Sequence, residues 1–417
     1  MALPWCTLSV QLLVALGGGS AIDTAKAASI VLACGGSVED YEGENKSSKP
    51  GLPIVAVNTT AGTGSECTSF YIVTDPVRHS KMAMVDPNCM VSIAVNDTDF
   101  MSSMPPKLTA ATGMDALTHA IEAALSKNAS PITDKDAYWA MTAIVQNLPR
   151  AVANGKDEEA RTMMAYAENV AGMAFSNAGL GMVHAMAHAL GGHYNLPHGV
   201  CNAVLLPYVL AFNSRSPVCR QRFVSIAGAM GLPANLGEAH AAEAVIQFVK
   251  QLSDSVGIPA TLAQLNKVDP SDFGTLADLA LRDTCMTTNQ LTPHPAGGHC
   301  RVHGGLPWVT ISTCFLCMKE RSRSAAGPLF LFLRFFVSLG ALSSFGCSSR
   351  FAEDPLKSRF PLLFLGMCSR AGSLPSARAH TAKSRNFSAN GRSTKKQTGT
   401  EPLAWFRLRP AVCVVAL

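Results

Sequence analysis

The sequence predicts an α/β domain built on a parallel sheet, followed by an all-helical domain. Three observations predict it. Continuous apolar runs at residues 10–16 and 53–58 each open into a loop of glycines or threonines, the pattern of strands buried on both faces of a parallel sheet. From residue 105 onward the apolar spacing is helical. Four histidines crowd GMVHAMAHALGGHYNLPHGV, Gly181 to Val200, in otherwise apolar surroundings.

In chain order, VQLLVAL (Val10 to Leu16) reads as a buried strand running into Gly17, Gly18, Gly19 and Ser20, then a helix over Ala21 to Ala33. Glycines let a backbone approach a phosphate closely, and a helix N-terminus offers unpaired N–H groups there. The spacing is not that of the dinucleotide fingerprint, so a turn that only links strand to helix stays open. PIVAVN (Pro53 to Asn58) is a second strand, and Thr59 to Glu66 forms a loop suited to a crevice at a strand's C-terminal end. Ser69 to Thr74 and Lys81 to Val85 are extended, Asp86 to Asn88 turns, and Met90 to Val95 is a further strand. Lys81 could cap a phosphate or ribose edge, or stand solvated. At Met104 to Lys107 the character changes, placing a first domain at 1–104 and a helical one at 105–290. Helices are expected near Ala110–Leu125, Asp134–Asn154, Glu158–Phe175, Gly181–Leu190, Asn202–Asn213, Arg220–Met230, Gly237–Val256 and Ser271–Cys285.

His184 and His188, four apart, share a helix face, which Gly191 and Gly192 are expected to end. His198 follows on a loop able to swing back. Two helical imidazoles and a returning one suit a metal. GMDALTHAIEAAL adds Asp115 and His119, again four apart, with Glu122 nearby. One carboxylate and three imidazoles suit Fe(II) or Zn(II), and donor type does not choose between them.

The net charge of +5 conceals a seam. Residues 1–290 carry 17 Lys+Arg against 25 Asp+Glu, while residues 291–417 carry 17 against 4. The basic balance therefore belongs to the tail and is no nucleic-acid surface of the folded part. The 13 cysteines show no repeated spacing and read as free thiols of a reducing compartment, the cytoplasm or mitochondrion. The apolar run Leu329 to Leu342 is short for a membrane span and carries Arg334, so no membrane association is expected. In the tail, His299, Cys300, His303, Cys314 and Cys317 have zinc-like spacing but no ββα pattern around them. Residues 291–417 are otherwise expected to be disordered.

AGTGSECTSFYIVTD, GMDALTHAIEA and GLGMVHAMAHALGGHYNLPHGVCNAVLLPYV closely resemble the iron-containing (group III) alcohol dehydrogenases, from Leu13 to about Gln290. The resemblance implies a dehydroquinate synthase-like architecture, an α/β dinucleotide domain and an all-helical metal domain with the active site in the cleft between them. It implies metal ligands at Asp115, His119, His184 and His198, and a non-ligand His188 that helps proton transfer beside the nicotinamide. Cofactor contacts fall on Gly18, Gly19 and Ser20 for the pyrophosphate, and on Thr59, Thr60, Thr63, Thr68 and Lys81 for the nicotinamide side and ribose. The implied activity is metal-dependent hydride transfer between a small primary alcohol or aldehyde and NAD or NADP, in a dimer or larger assembly. Family members carry further strands before the one at Val10, and a final helical segment where this chain has its basic tail. A shortened, catalytically inert metal-binding member is therefore one alternative. A related polyol dehydrogenase or hydroxyacid transhydrogenase is another.

Overall fold

The computed structural model describes residues 10–233, 235–265, 268–292 and 411–416. The zinc-like cluster, the apolar run at 329–342 and most of the basic tail lie outside these residues. Strand β1 (Val10–Gly17) pairs in parallel with β3 (Ile54–Asn58), Leu13 facing Ile54, and β3 pairs in parallel with β6 (Ile93–Val95). On the other edge of β1 lies β7 (Ala411–Ala416), also parallel, giving the order β6-β3-β1-β7. The expectation of a tail disordered throughout therefore fails at AVCVVA. An unpaired edge of β1 would expose a row of backbone donors and acceptors, and an apolar run rich in β-branched residues is suited to cover it.

A second sheet was not anticipated. Strands β2 (Gly43–Glu44), β4 (Phe70–Asp75) and β5 (Ser80–Val85) take the order β2-β5-β4, with β4 and β5 antiparallel. The link between β4 and β5 is too short for the crossover that parallel pairing demands. Helix α1 (Gly19–Cys34) lies between the two sheets, which is why it is apolar on opposite faces. Ile22 and Ala25 pack with Leu13, Ala15, Ile54 and Ala56, while Ala27 and Ile30 pack with Tyr71, Met82 and Met84.

The helical part comprises α2 (Pro106–Leu125), α3 (Pro131–Ala153), α4 (Glu158–Ala178), α5 (Met182–Tyr194), α6 (His198–Asn213), α7 (Pro217–Ala229), α8 (Glu238–Ser255) and α9 (Phe273–Arg282). Packed by α3, α4 and α6, α2 is buried almost along its length, including Asp115, His119 and Glu122. Polar groups so placed must satisfy one another or a ligand.

Two local expectations are corrected here. Gly191 and Gly192 do not end α5, which continues to Tyr194 and stops at Asn195 in the left-handed region, φ 51°. Their role is close approach: a Cβ on Gly192 would stand 2.8 Å from the backbone of Ser80 and of Lys81, so these glycines seat α5 on β5. His198 is not on a free loop but is the first residue of α6, whose preceding Pro197 sets the entry.

A buried carboxyl pair joins the α/β and helical parts. Glu168 on α4 accepts from Asn58 Nδ2 at 2.8 Å and from the Gly64 amide at 2.7 Å. Glu66 accepts from Asn96 Nδ2 at 2.9 Å and Asn169 Nδ2 at 2.8 Å. Burial first, then the charge of Glu66 and a hydrogen bond to it, push Glu168 well above the ordinary value of 4.5, so the fold favours its protonated form. The unfolded chain releases that proton near the ordinary value while the fold retains it. Stability from this site is accordingly greatest in acid and declines as pH rises above the ordinary value. Glu168→Gln, permanently neutral, is expected to flatten that decline when urea unfolding is compared at pH 5 and pH 8; an unaltered slope would mean that Glu168 is ionised in the fold.

Candidate active site

One cavity of about 180 Å³ gathers residues from both parts of the chain: Gly19 and Ser20 at the start of α1, Thr63, Thr68 and Lys81 from the α/β part, and Asp115, His119, His184, His188 and His198 from the helices. Of the cofactor residues expected from sequence, Gly18, Thr59 and Thr60 do not line it. Gly18 and Thr60 press together, since a Cβ on Gly18 would lie 2.7 Å from the Thr60 side chain, and the Thr59 amide donates to the Gly17 carbonyl at 3.1 Å. The turn itself requires glycine at Gly17, φ 149°. Gly18 caps α1 without a side chain and the first turn holds no acidic residue, so the helix start faces the cavity with its positive end uncompensated.

At the helical end, three donors converge. Asp115 Oδ1 lies 3.7 Å from His184 Nε2 and 3.7 Å from His198 Nε2. The Asn202 amide nitrogen sits among them, 2.5 Å from Asp115 Oδ1, 3.0 Å from His184 Nε2 and 3.1 Å from His198 Nε2. An amide NH₂ carries two hydrogens and cannot serve three acceptors, and the Asn202 Oδ1 is itself buried without a partner. A cation placed among the three lone pairs would satisfy all of them, so the donor set fits a divalent metal.

Glu122 orients the set. Its Oε2 lies 2.6 Å from His184 Nδ1 and its Oε1 accepts from the Val183 amide at 2.7 Å. With Nδ1 bonded to Glu122, the His184 ring is held with Nε2 directed at Asp115 and the site. The fourth expected ligand, His119, stacks on His184 at 4.6 Å between ring centroids and on Phe175 at 4.3 Å; its buried Nδ1 has no partner, and it stands outside the close trio.

The electrostatics favour positive charge at this point. Burial opposes ionisation of Asp115, yet the neighbouring His198, His119 and His184 hold its carboxyl far below the usual range. Burial likewise opposes charge on His184, but Asp115 and Glu122 raise it to about 9. His119 is pushed down to about 3, chiefly by burial. Burial also lowers Lys81, against the nearby Cys201, Asp115 and Asp23.

His188 stacks on His198 at 5.2 Å and hydrogen-bonds through Nδ1 to Asp283 Oδ2 at 2.8 Å. His193, the fourth histidine of that stretch, points elsewhere, 3.4 Å from Asp272. Glu122, noted in the sequence only as lying near Asp115 and His119, proves to hold the His184 ring. Other residues of the site were not legible in the sequence. Asn202 carries a signal, falling four residues after His198. Asp23, Phe70 and Phe175, which line the cavity, carry none that distinguishes them from ordinary core or surface.

Comparison with known proteins gives a consistent picture. Residues 7–98 match the sequence family described as "Iron-containing alcohol dehydrogenase", and residues 109–295 match "Fe-containing alcohol dehydrogenase family, C-terminal". The chain is 52% identical over 281 residues to alcohol dehydrogenase 4 of Schizosaccharomyces pombe, covering 67% of this chain and 65% of that protein. It is 47% identical over 278 residues to the NAD-dependent methanol dehydrogenase of Bacillus methanolicus, covering 66% and 72%. Among solved structures, the alcohol dehydrogenase from Oenococcus oeni superposes with a TM-score of 0.68 at 39% identity, over 74% of this chain and 76% of that one. A 1,3-propanediol oxidoreductase gives 0.66 at 42% identity, over 73% and 76%.

Proposed function

The chain belongs to the iron-containing alcohol dehydrogenase family, and we propose that it is a metal-dependent dehydrogenase moving hydride between a small primary alcohol and NAD or NADP. The observation that carries this reading is the convergence of Asp115, His184 and His198 lone pairs inside the same cavity that the start of α1 lines. When bound, a divalent ion, Fe(II) or alternatively Zn(II), supplies Lewis-acid polarisation of the alcohol oxygen, and the nicotinamide supplies the hydride acceptor.

The chain's own residues do the rest. Asp115, His184 and His198 hold the ion, with His119 stacked alongside as the fourth donor, and Glu122 fixes the His184 ring. Gly19, Ser20 and the N-terminal start of α1 receive the pyrophosphate, backed by Gly18, Thr59 and Thr60; Thr63, Thr68 and Lys81 face the ribose and nicotinamide. Phe70 and Phe175, edge to face at 5.3 Å, wall the cavity with Leu180 and keep bulk water from the reacting carbon. His188 takes the alcohol proton. Methanol and 1,3-propanediol in the names of relatives agree with a substrate of few carbons.

Phe175→Ala should open that wall. The ratio of kcat/KM for 1-hexanol to that for ethanol is expected to rise about tenfold, the worth of a methylene or more in an apolar pocket; an unchanged ratio would place the specificity wall elsewhere. The reading as a whole is tested by metal analysis and NADH titration of the full chain purified anaerobically. Stoichiometric metal with saturable NADH binding supports it, and absence of either overturns it. Family resemblance also supports a dimer or larger assembly in a reducing compartment, which sedimentation and fractionation would establish. Among the described residues, no helix is long and apolar enough to cross a membrane.

A further inference from the structure

Outside the ligand set, His188, Asp283 and Cys285 form a cluster in which His188 and Cys285 are buried and Asp283 is half-buried. Its polar groups already satisfy one another. Asp283 Oδ2 meets His188 Nδ1 at 2.8 Å, and Asp283 Oδ1 accepts from the Cys285 amide at 2.8 Å. A chain of mutually satisfied groups is a positioning device rather than a second ion site. We infer that Asp283 is the residue that sets the tautomer and orientation of His188, so that Nε2 is bare on the cavity side. This rests on the reading of His188 as the proton acceptor.

The geometry supports it from both ends. Asp283 is held by backbone, because it caps the short helical turn Thr284–Thr288 that follows α9, and its carboxylate cannot swing away without losing the cap. His188 is held by ring contacts, lying nearly parallel to His198 at 15° and edge-on to His184 at 71°. A carboxylate accepting Nδ1–H leaves one tautomer, with its lone pair at Nε2. With nicotinamide bound as hydride acceptor, oxidation of R–CH₂–OH would yield R–CHO, NADH and one proton. His188 Nε2 would take that proton from the alcohol oxygen, and the Asp283 carboxylate would balance the resulting charge until release to water.

Asp283→Asn tests this without removing the cap. Its Oδ1 can still accept from the Cys285 amide, which turns Nδ2–H₂ toward His188 and forces the opposite tautomer. On the full chain loaded with diamagnetic Zn(II), ¹⁵N imidazole spectra are expected to show His188 protonated at Nδ1 in the wild type and at Nε2 in Asp283→Asn. Turnover of ethanol is expected to fall about 100-fold in kcat, with ethanol KM, zinc content and NADH affinity unchanged, and Asp283→Glu is expected to recover part of the loss. The same His188 tautomer in wild type and Asp283→Asn overturns the inference, whether or not turnover is measurable. Wild-type kcat in Asp283→Asn, alongside a deficient His188→Ala, also overturns it. Wild-type kcat in His188→Ala would instead remove the proton-acceptor reading while leaving the tautomer assignment to stand on its spectra.

Discussion

His198→Ala is expected to emerge from anaerobic purification with less than a tenth of the wild-type metal. Turnover of ethanol should fall about 1,000-fold, the equivalent of the several kcal/mol that Lewis-acid charge stabilisation contributes. The fold should survive. His198 is the first residue of α6 with a side chain 24% exposed, so its removal opens no core, and the buried pair of His184 with Glu122 stays intact. What is lost is one of the three donors that converge beside Asn202, and Asp115, His184 and the more distant His119 would hold an ion far more weakly. Metal analysis with far-UV circular dichroism separates the outcomes. Full metal content would show that His198 is not a ligand; loss of helix together with metal would show that it serves the fold instead.

Much of this site was legible because its candidate residues come in helical pairs. Asp115 with His119 and His184 with His188 announce shared faces by spacing alone, and the apolar residues around them say that those faces are buried. The strand, glycine turn and helix from Val10 to Cys34 are legible for the same reason: each is a local pattern. What the sequence hid is either ambiguous or distant. A glycine pair can mean a helix end or a close backbone approach, and at Gly191 and Gly192 the approach to β5 prevailed. His198, read as a loop residue, concealed that Asn202 lies one turn away on the same helix. Asp283 meets His188 across 95 positions and Asn58 meets Glu168 across 110, and no local periodicity encodes either meeting. The pairing of β7 with β1 is more remote still.

Lys26→Met is expected to be the most destabilising single change in the α/β part, costing about 3–5 kcal/mol, as when one partner of a buried charged group is removed. Lys26 is fully buried in α1. Its ammonium donates to the Thr68 carbonyl and to the Phe70 carbonyl, each at 2.7 Å. Those acceptors lie where the chain leaves the Ser65–Cys67 turn and enters β4, the segment that delivers Thr68 and Phe70 to the cavity. Methionine fills the space but takes the ammonium donor from both carbonyls and removes a cation that acts on Asp23. Burial already raises the Asp23 carboxyl above its ordinary value of 3.8, and Lys26 is the largest influence opposing that rise. Without Lys26, Asp23 should bind its proton more tightly in the fold than in the unfolded chain, so the stability of Lys26→Met should fall further as pH rises from acid to neutral. Urea unfolding at pH 5 and pH 8 measures both effects, and adding Asp23→Asn should recover the pH-dependent part while leaving the cost of the carbonyls. A loss below about 1 kcal/mol, within the range of an ordinary exposed ion pair, would mean that water replaces the ammonium and that Lys26 does not brace the cavity wall.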